Sequence, residues 1–247
     1  MARPPAIEVT GISKSFQIPH EQRIYFKEYF LHPLRRVTYE RNDALKDVSF
    51  AVGEGEFFGI YGPNGSGKST LLRILAGIYE PDRGRVRVNG LLSPFIELGV
   101  GFDPELTARD NIRINATLAG LTKQQLGDKF NEILAFAELE RFVDQQLKNY
   151  SSGMLMRLAY SIAIQIPFDL LLLDEVLAVG DESFQQKCFA TFDGFKAEGK
   201  TIVLVTHDLG LLQRFADRVL RIEHGIVKAI GSTEDLLGSR PFNAVVG

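Results

Sequence analysis

The sequence predicts an α/β fold in which an N-terminal antiparallel β subdomain and an inserted helical subdomain are attached to one core of alternating strands and helices. Three observations carry this expectation. β-type runs crowd residues 7–61, a helical period takes over from Thr107 to about Ile166, and short apolar runs return at Leu170–Asp174 and Thr201–Thr206. That order is the one expected of a core interrupted once.

At the N-terminus, Ile7-Glu8-Val9-Thr10-Gly11-Ile12 alternates apolar and polar residues, Ala44 to Val52 continues the pattern, and Phe57–Tyr61 is a compact hydrophobic strand. Pro81-Asp82-Arg83-Gly84 is a turn signal before the β-rich Arg85–Gly90, which predicts a hairpin. Between 107 and 166, Leu118, Leu121, Leu126, Phe130, Ile133, Leu134 and Phe136 recur at helical spacing. The later apolar runs are of buried parallel-strand type, separated by a helix from Phe184 to Ala197 that ends near Gly199. The expected extents are a core at 1–102 and 167–247, a helical subdomain at 103–166, and an extra insert at 17–43. That insert separates two otherwise adjacent strands and sets Tyr25, Phe26, Tyr29, Phe30 and Tyr39 beside Arg23, Lys27, Arg35, Arg36 and Arg41.

Composition narrows the class. In 247 residues, 45% hydrophobic and 24% charged content is that of an ordinary globular chain. The net charge of -3 gives no global attraction to nucleic acid, so no nucleic-acid partner is expected. The single cysteine, Cys188, excludes an internal disulfide and fits a reducing compartment, with the cytoplasm as default. The N-terminus lacks the apolar run of a signal peptide. The most apolar stretch, Leu158 to Leu173, is broken by Gln165, Pro167 and Asp169 and falls short of the roughly 20 residues of a membrane helix.

Gly62-Pro63-Asn64-Gly65-Ser66-Gly67-Lys68-Ser69-Thr70 fits the phosphate-loop pattern G-x-x-x-x-G-K-[ST] and lies between the strand ending at Tyr61 and a helix starting near Lys68. Its glycines let backbone N–H groups converge on phosphates, and the helix N-terminus adds positive potential. Lys68 is placed to reach the terminal phosphates and Ser69 to hold Mg²⁺, so ATP and Mg²⁺ are the expected cofactors of a P-loop NTPase core. A chance glycine-rich turn would not also carry Lys-Ser in strand-to-helix context.

Leu170–Leu173 ends in Asp174-Glu175, which places two carboxylates at the carboxyl edge of the sheet, where ligands gather in open α/β folds. Asp174 is assigned to Mg²⁺ and Glu175 to polarising the attacking water, because phosphoryl transfer is catalysed by positioning and charge. The plainer reading makes the pair the N-terminal acids of a following helix. The phosphate loop and Val205-Thr206-His207-Asp208 favour the catalytic one, with His207 facing the γ-phosphate.

Tyr150-Ser151-Ser152-Gly153-Met154 resembles the signature motif of ATP-binding-cassette proteins, Leu-Ser-Gly-Gly-Gln, with Ser151 and Gly153 matching and Tyr150, Ser152 and Met154 departing. Read locally, the run is an N-cap. The resemblance covers almost the whole chain and implies an ATPase that works as a head-to-tail homodimer, with Ser151, Ser152 and Gly153 of one subunit closing over ATP on the other. It places Asp181 at the end of the family's D-loop. Together with 174–181 and Ile96–Phe102, the motif looks like that of the Wzt-type ATPases of O-antigen, capsule and teichoic-acid exporters. This implies a translocase at the cytoplasmic face of the inner membrane, bound to a separate permease dimer whose cargo is a lipid-linked glycan. Exporters of lipid, drug or ion, and non-transport members acting on nucleic acid, are the competing readings.

Where relatives carry a glutamine that touches metal and permease, this sequence has Glu97 or the Leu98-Gly99 turn. For the adenine-stacking aromatic, Ser13-Lys14-Ser15-Phe16 offers Phe16, while counting back from Lys68 favours Tyr39 slightly. The 17–43 insert resembles an extra helix near the channel mouth, and its aromatic and basic content suits an interface; a solvated loop is the alternative. Ending at Gly247, the sequence is expected to carry no carbohydrate-binding module of the kind some such exporters append.

Overall fold

Two sheets carry the strands of the computed structural model, which describes residues 4–19, 39–95, 101–174 and 181–238. The smaller is antiparallel and ordered β2-β1-β4, from Tyr39–Val52, Ile7–Pro19 and Arg83–Val88. The larger runs β5-β6-β7-β3-β8-β9, from Leu92–Phe95, Leu170–Asp174, Thr201–Val205, Phe57–Tyr61, Arg218–Glu223 and Ile226–Ser232. All its neighbours pair in parallel except β8 and β9.

The central strands are apolar at nearly every position because both faces of the large sheet are covered. Alternation sorts them: Phe58, Ile60, Leu170, Leu172, Val203 and Val205 pack toward the small sheet and helix α1, Lys68–Leu75. Phe57, Leu171, Leu173, Ile202 and Leu204 face Phe184, Cys188, Phe192, Leu212 and Phe215 on the other side. Cys188 is fully buried, and burial pushes its thiol up to about 11.

The helical subdomain has its own core around Ile112, Ile133, Leu134, Leu158 and Ile162. Its helices are α2 (Ala108–Leu118), α3 (Lys123–Ala137) and α4 (Ser152–Ala163). Each start is written in the sequence: Thr107 accepts from Asp110 N–H, Thr122 and Gln125 form a capping box, and Ser151 accepts from Met154 N–H. Fully buried Asn111 ties the entry to α2, its Nδ2 donating to the Asp103 and Thr107 carbonyls at 2.9 and 3.0 Å and its Oδ1 accepting from Asp103 N–H at 2.8 Å. After β6 come α5 (Glu182–Ala197), α6 (Leu209–Phe215) and α7 (Thr233–Leu237). Among the described residues no helix is long and apolar enough to cross a membrane.

Two expectations need correction. The turn at Pro81–Gly84 does not open a local hairpin; β4 pairs back with β1, and β5 joins the other sheet beside β6. Asp82 explains the turn, since it accepts from Ser15 N–H at 2.7 Å and from Lys14 Nζ at 3.0 Å, pinning the chain to β1. The Ser15 amide and the Lys14 ammonium hold its carboxyl down at about 2. The insert is also narrower than 17–43, because the β1–β2 ladder continues to Pro19 opposite Tyr39. Tyr25, Phe26, Tyr29 and Phe30, with Arg23, Lys27, Arg35 and Arg36, lie outside the described residues.

Candidate nucleotide-binding site

Strand order decides which loops meet. Val205 pairs with both Ile60 and Asp174, so β7 stands between β3, which leads into the phosphate loop, and β6, which ends in Asp174. All three run parallel and deliver their carboxyl ends to one edge, with about 5 Å between neighbours. Thr206 N–H donates to Ile60 O at 3.1 Å, fixing the exit of β7 against β3. Asp208 N–H donates to Thr206 Oγ1, and the Asp208 carboxylate accepts from Gly210 and Leu211 N–H to cap α6. His207 is thereby held, exposed, in a turn braced on both sides.

The phosphate loop requires glycine at specific points. A Cβ at Gly62 would sit 2.0 Å from Ile222 O, and one at Gly67 would sit 2.5 Å from Ala44 O. Gly67, with φ +105, also caps α1 without a side-chain hydrogen bond, so the first-turn amides are left for a ligand. Lys68 is 7% exposed, and its Nζ donates to the Gly62 and Pro63 carbonyls at 2.8 and 3.0 Å. A buried ammonium held by neutral carbonyls at a helix N-terminus is a built receptor for an anion.

A cavity of about 700 Å³ opens over this loop, lined by Asn64, Gly65, Gly67, Lys68, Ser69, Thr70 and Asp174 on one side. Phe16, Asn42, Asp43, Ala44, Lys46 and His224 complete the wall. Its volume is within the range of small-molecule sites. The donor set fits a nucleoside triphosphate with Mg²⁺: amides and an ammonium for phosphate, and Ser69 with Asp174 as oxygen ligands for a hard cation. Gly62 and Pro63 support the wall through the Lys68 contacts, while Ser66 is buried beneath it.

Phe16 belongs to the wall and is steadied from its edge by Tyr79, with ring centroids 5.7 Å apart. Tyr39, favoured by counting, is 59% exposed and, among the described residues, does not line the cavity. The reason is register: Phe16 sits opposite Asn42, and Tyr39 lies three ladder positions further out, about 10 Å along the strand. Glu175 and Glu97 lie outside the described residues.

Ser151, Ser152 and Gly153 open α4 on the helical subdomain and are not among the described residues that line the cavity. Asp181 caps α5 by accepting from Phe184 N–H at 3.0 Å, and that amide holds its carboxyl below the usual range. Sequence reasoning missed what joins these segments. Arg157 of α4 donates to Asp181 at 2.5 Å and to Glu138 at 3.0 Å, and lies 5.0 Å from the Phe184 ring centroid. Its place three residues after Met154 was the available signal, but a lone arginine on a helix has no visible partner.

A phosphate loop between a parallel strand and a helix, an acidic strand end two strands away and an inserted helical subdomain define a nucleotide-binding cassette. The comparisons agree. The ABC transporter family model matches residues 45–178, and the chain belongs to that family as one of its ATP-binding cassettes. It is 40% identical over 236 residues to the O-antigen export system ATP-binding protein RfbB of Klebsiella pneumoniae, covering 94% of this chain and 96% of that protein. It is 40% identical over 193 residues to the teichoic acids export ATP-binding protein TagH of Listeria monocytogenes, covering 78% of this chain and 57% of that protein. A solved ATP-binding subunit of an ABC transporter superposes with a TM-score of 0.75 at 25% identity, over 95% of this chain and 94% of that one.

Proposed function

We propose that the chain is the ATP-hydrolysing subunit of a membrane exporter for a lipid-linked cell-surface polysaccharide. One observation carries the cargo: near end-to-end similarity to a protein named for O-antigen export, with a teichoic-acid export protein at the same identity. The chemistry follows from the sheet edge. Lys68 and the loop amides bind the β- and γ-phosphates, and Phe16 stacks on the base. Mg²⁺, held by Ser69 and Asp174, supplies charge neutralisation on the phosphate oxygens. Glu175 orients and deprotonates the attacking water, and His207 holds the γ-phosphate end in line.

The signature segment Ser151–Gly153 is not among the described residues lining the cavity of its own chain, which suits action on ATP held by a second copy. In this reading two subunits sandwich two ATP molecules beneath a separate permease dimer at the cytoplasmic face of the inner membrane. Glu97 is proposed to serve at the junction with metal and permease where relatives use glutamine.

The test is Glu175→Gln. It is expected to bind ATP, lose turnover and accumulate as a dimer in light scattering; a variant that stays monomeric with saturating ATP and Mg²⁺ refutes the sandwich. For the cargo, deletion of the native copy is expected to strip the glycan from the cell surface. Unchanged surface glycan overturns the assignment.

A further inference from the structure

Apart from Phe16, one wall of the cavity has no part in the chemistry above. It includes His224, which stands with Gly225 in the turn between β8 and β9. Because β8 pairs in parallel with β3, with Tyr61 opposite Arg221, this turn emerges beside the phosphate loop. The contact is direct: Gly225 N–H donates to Ser66 O at 2.9 Å, and Gly225 O accepts from Lys46 N–H at 2.8 Å. The turn therefore fastens the loop to β2 at the point where Ala44 and Lys46 enter the wall.

The backbone at His224 takes an uncommon conformation. His224 and Gly225 both have positive φ, at 50 and 76, as a two-residue hairpin of the twisted type requires. At Gly225 glycine is compulsory, since a Cβ would sit 2.6 Å from Ala44 O. At the first position asparagine or aspartate is the ordinary solution, and histidine shares their tolerance of positive φ. A side chain carried in a sparsely populated conformation at a ligand cavity points to a use for that side chain. Among the described residues no hydrogen-bond or ion-pair partner engages the His224 imidazole, and the residue is exposed toward solvent.

The cavity divides by element. Loop residues 64–70 and Asp174 supply amides, hydroxyls and charge suited to phosphates and metal. The wall from β1, β2 and the β8–β9 turn is left with the sugar and base. We propose that His224 is a nucleotide-binding residue that hydrogen-bonds the nucleoside part of bound ATP, with Lys46 as its neighbour on the same wall. This rests on the nucleotide-binding reading of the cavity and names a recognition residue within it.

The experiment compares two probes on the full chain, MgATP and inorganic tripolyphosphate with Mg²⁺, by calorimetry. His224→Asn keeps a residue that tolerates the turn, and thermal melting checks that the fold is retained. Loss of one hydrogen bond is expected to weaken ATP binding by about fivefold to tenfold while leaving tripolyphosphate affinity unchanged. His224→Gly, which relieves the backbone, is expected to match the asparagine variant in affinity. ATP affinity within twofold of the parent overturns the inference, and so does equal weakening of both probes, which would mark a purely structural turn. If the parent chain binds neither probe, the nucleotide-binding reading falls first and takes this inference with it.

Discussion

Gly59 lies midway along β3, between Leu204 of β7 and Val219 of β8, and leads the chain toward the phosphate loop. Its φ is outside the left-handed range, so backbone freedom does not explain the glycine. Space does. A Cβ there would meet Leu212 Cδ2 at 2.6 Å, Val219 Cγ1 at 3.0 Å and Ala216 Cβ at 3.4 Å. Relaxed carbon contacts lie at about 3.5–4.0 Å, so Gly59→Ala forces roughly 1 Å of movement on Leu212 or its helix. Overpacking of this kind costs about 1–3 kcal/mol, offset by about 0.4–1 kcal/mol from the stiffer unfolded chain. The expected result is a net loss of about 1–2 kcal/mol and a melting temperature several degrees lower, at about 2–4 °C per kcal/mol.

Leu212 is fully buried in α6, the helix that begins just after His207, so the displacement reaches the site. ATP turnover is expected to fall further than stability alone accounts for. Leu212→Ala by itself should cost about 2–5 kcal/mol as a cavity. Combined with Gly59→Ala, the new methyl fills the space that the leucine vacates, and the pair should be less destabilising than the sum by about 1 kcal/mol. Urea unfolding of the four proteins measures this. Strict additivity, or a Gly59→Ala protein as stable as the parent, refutes the close-packing argument.

Lys68→Ala removes the ammonium that Gly62 O and Pro63 O hold over the loop, and is expected to abolish measurable ATP binding in calorimetry while leaving the circular dichroism unchanged. Asp82, held at about 2 by the Ser15 amide and Lys14, contributes stability that is full above pH about 4 and lost as pH falls toward 2; NMR titration of its carboxyl should find that midpoint, and Lys14→Met should raise it. Cys188, fully buried with its thiol pushed up to about 11, should resist a disulfide reagent at pH 8 in the native protein and react fully once the chain is unfolded in denaturant.

What the sequence disclosed was local. The phosphate loop, the N-cap run at Ser151 and the leucine run into Asp174 are contiguous patterns whose meaning does not depend on distant partners. The misses are all questions of pairing across the chain. Arg83–Val88 has the composition of a hairpin strand, yet its partner is β1, some seventy residues earlier in the chain, chosen by Asp82 reaching Ser15. The choice between Phe16 and Tyr39 turned on where a ladder ends, which counting across an insertion does not reveal. Arg157 and His224 were invisible for the same reason: one matters because α5 delivers Asp181 to it, the other because a hairpin turn lands on the phosphate loop.

The Asn111 side chain, bonded to both the N–H and the carbonyl of Asp103, makes residues 103–111 a single mechanical piece. The side chain itself is fully buried and cannot be exchanged for water without losing several hydrogen bonds together. A rotation of the helical layer against the sheet therefore takes this whole corner along. Residues 103–111 are thus a crank that transmits displacement rather than a spring that dissipates it.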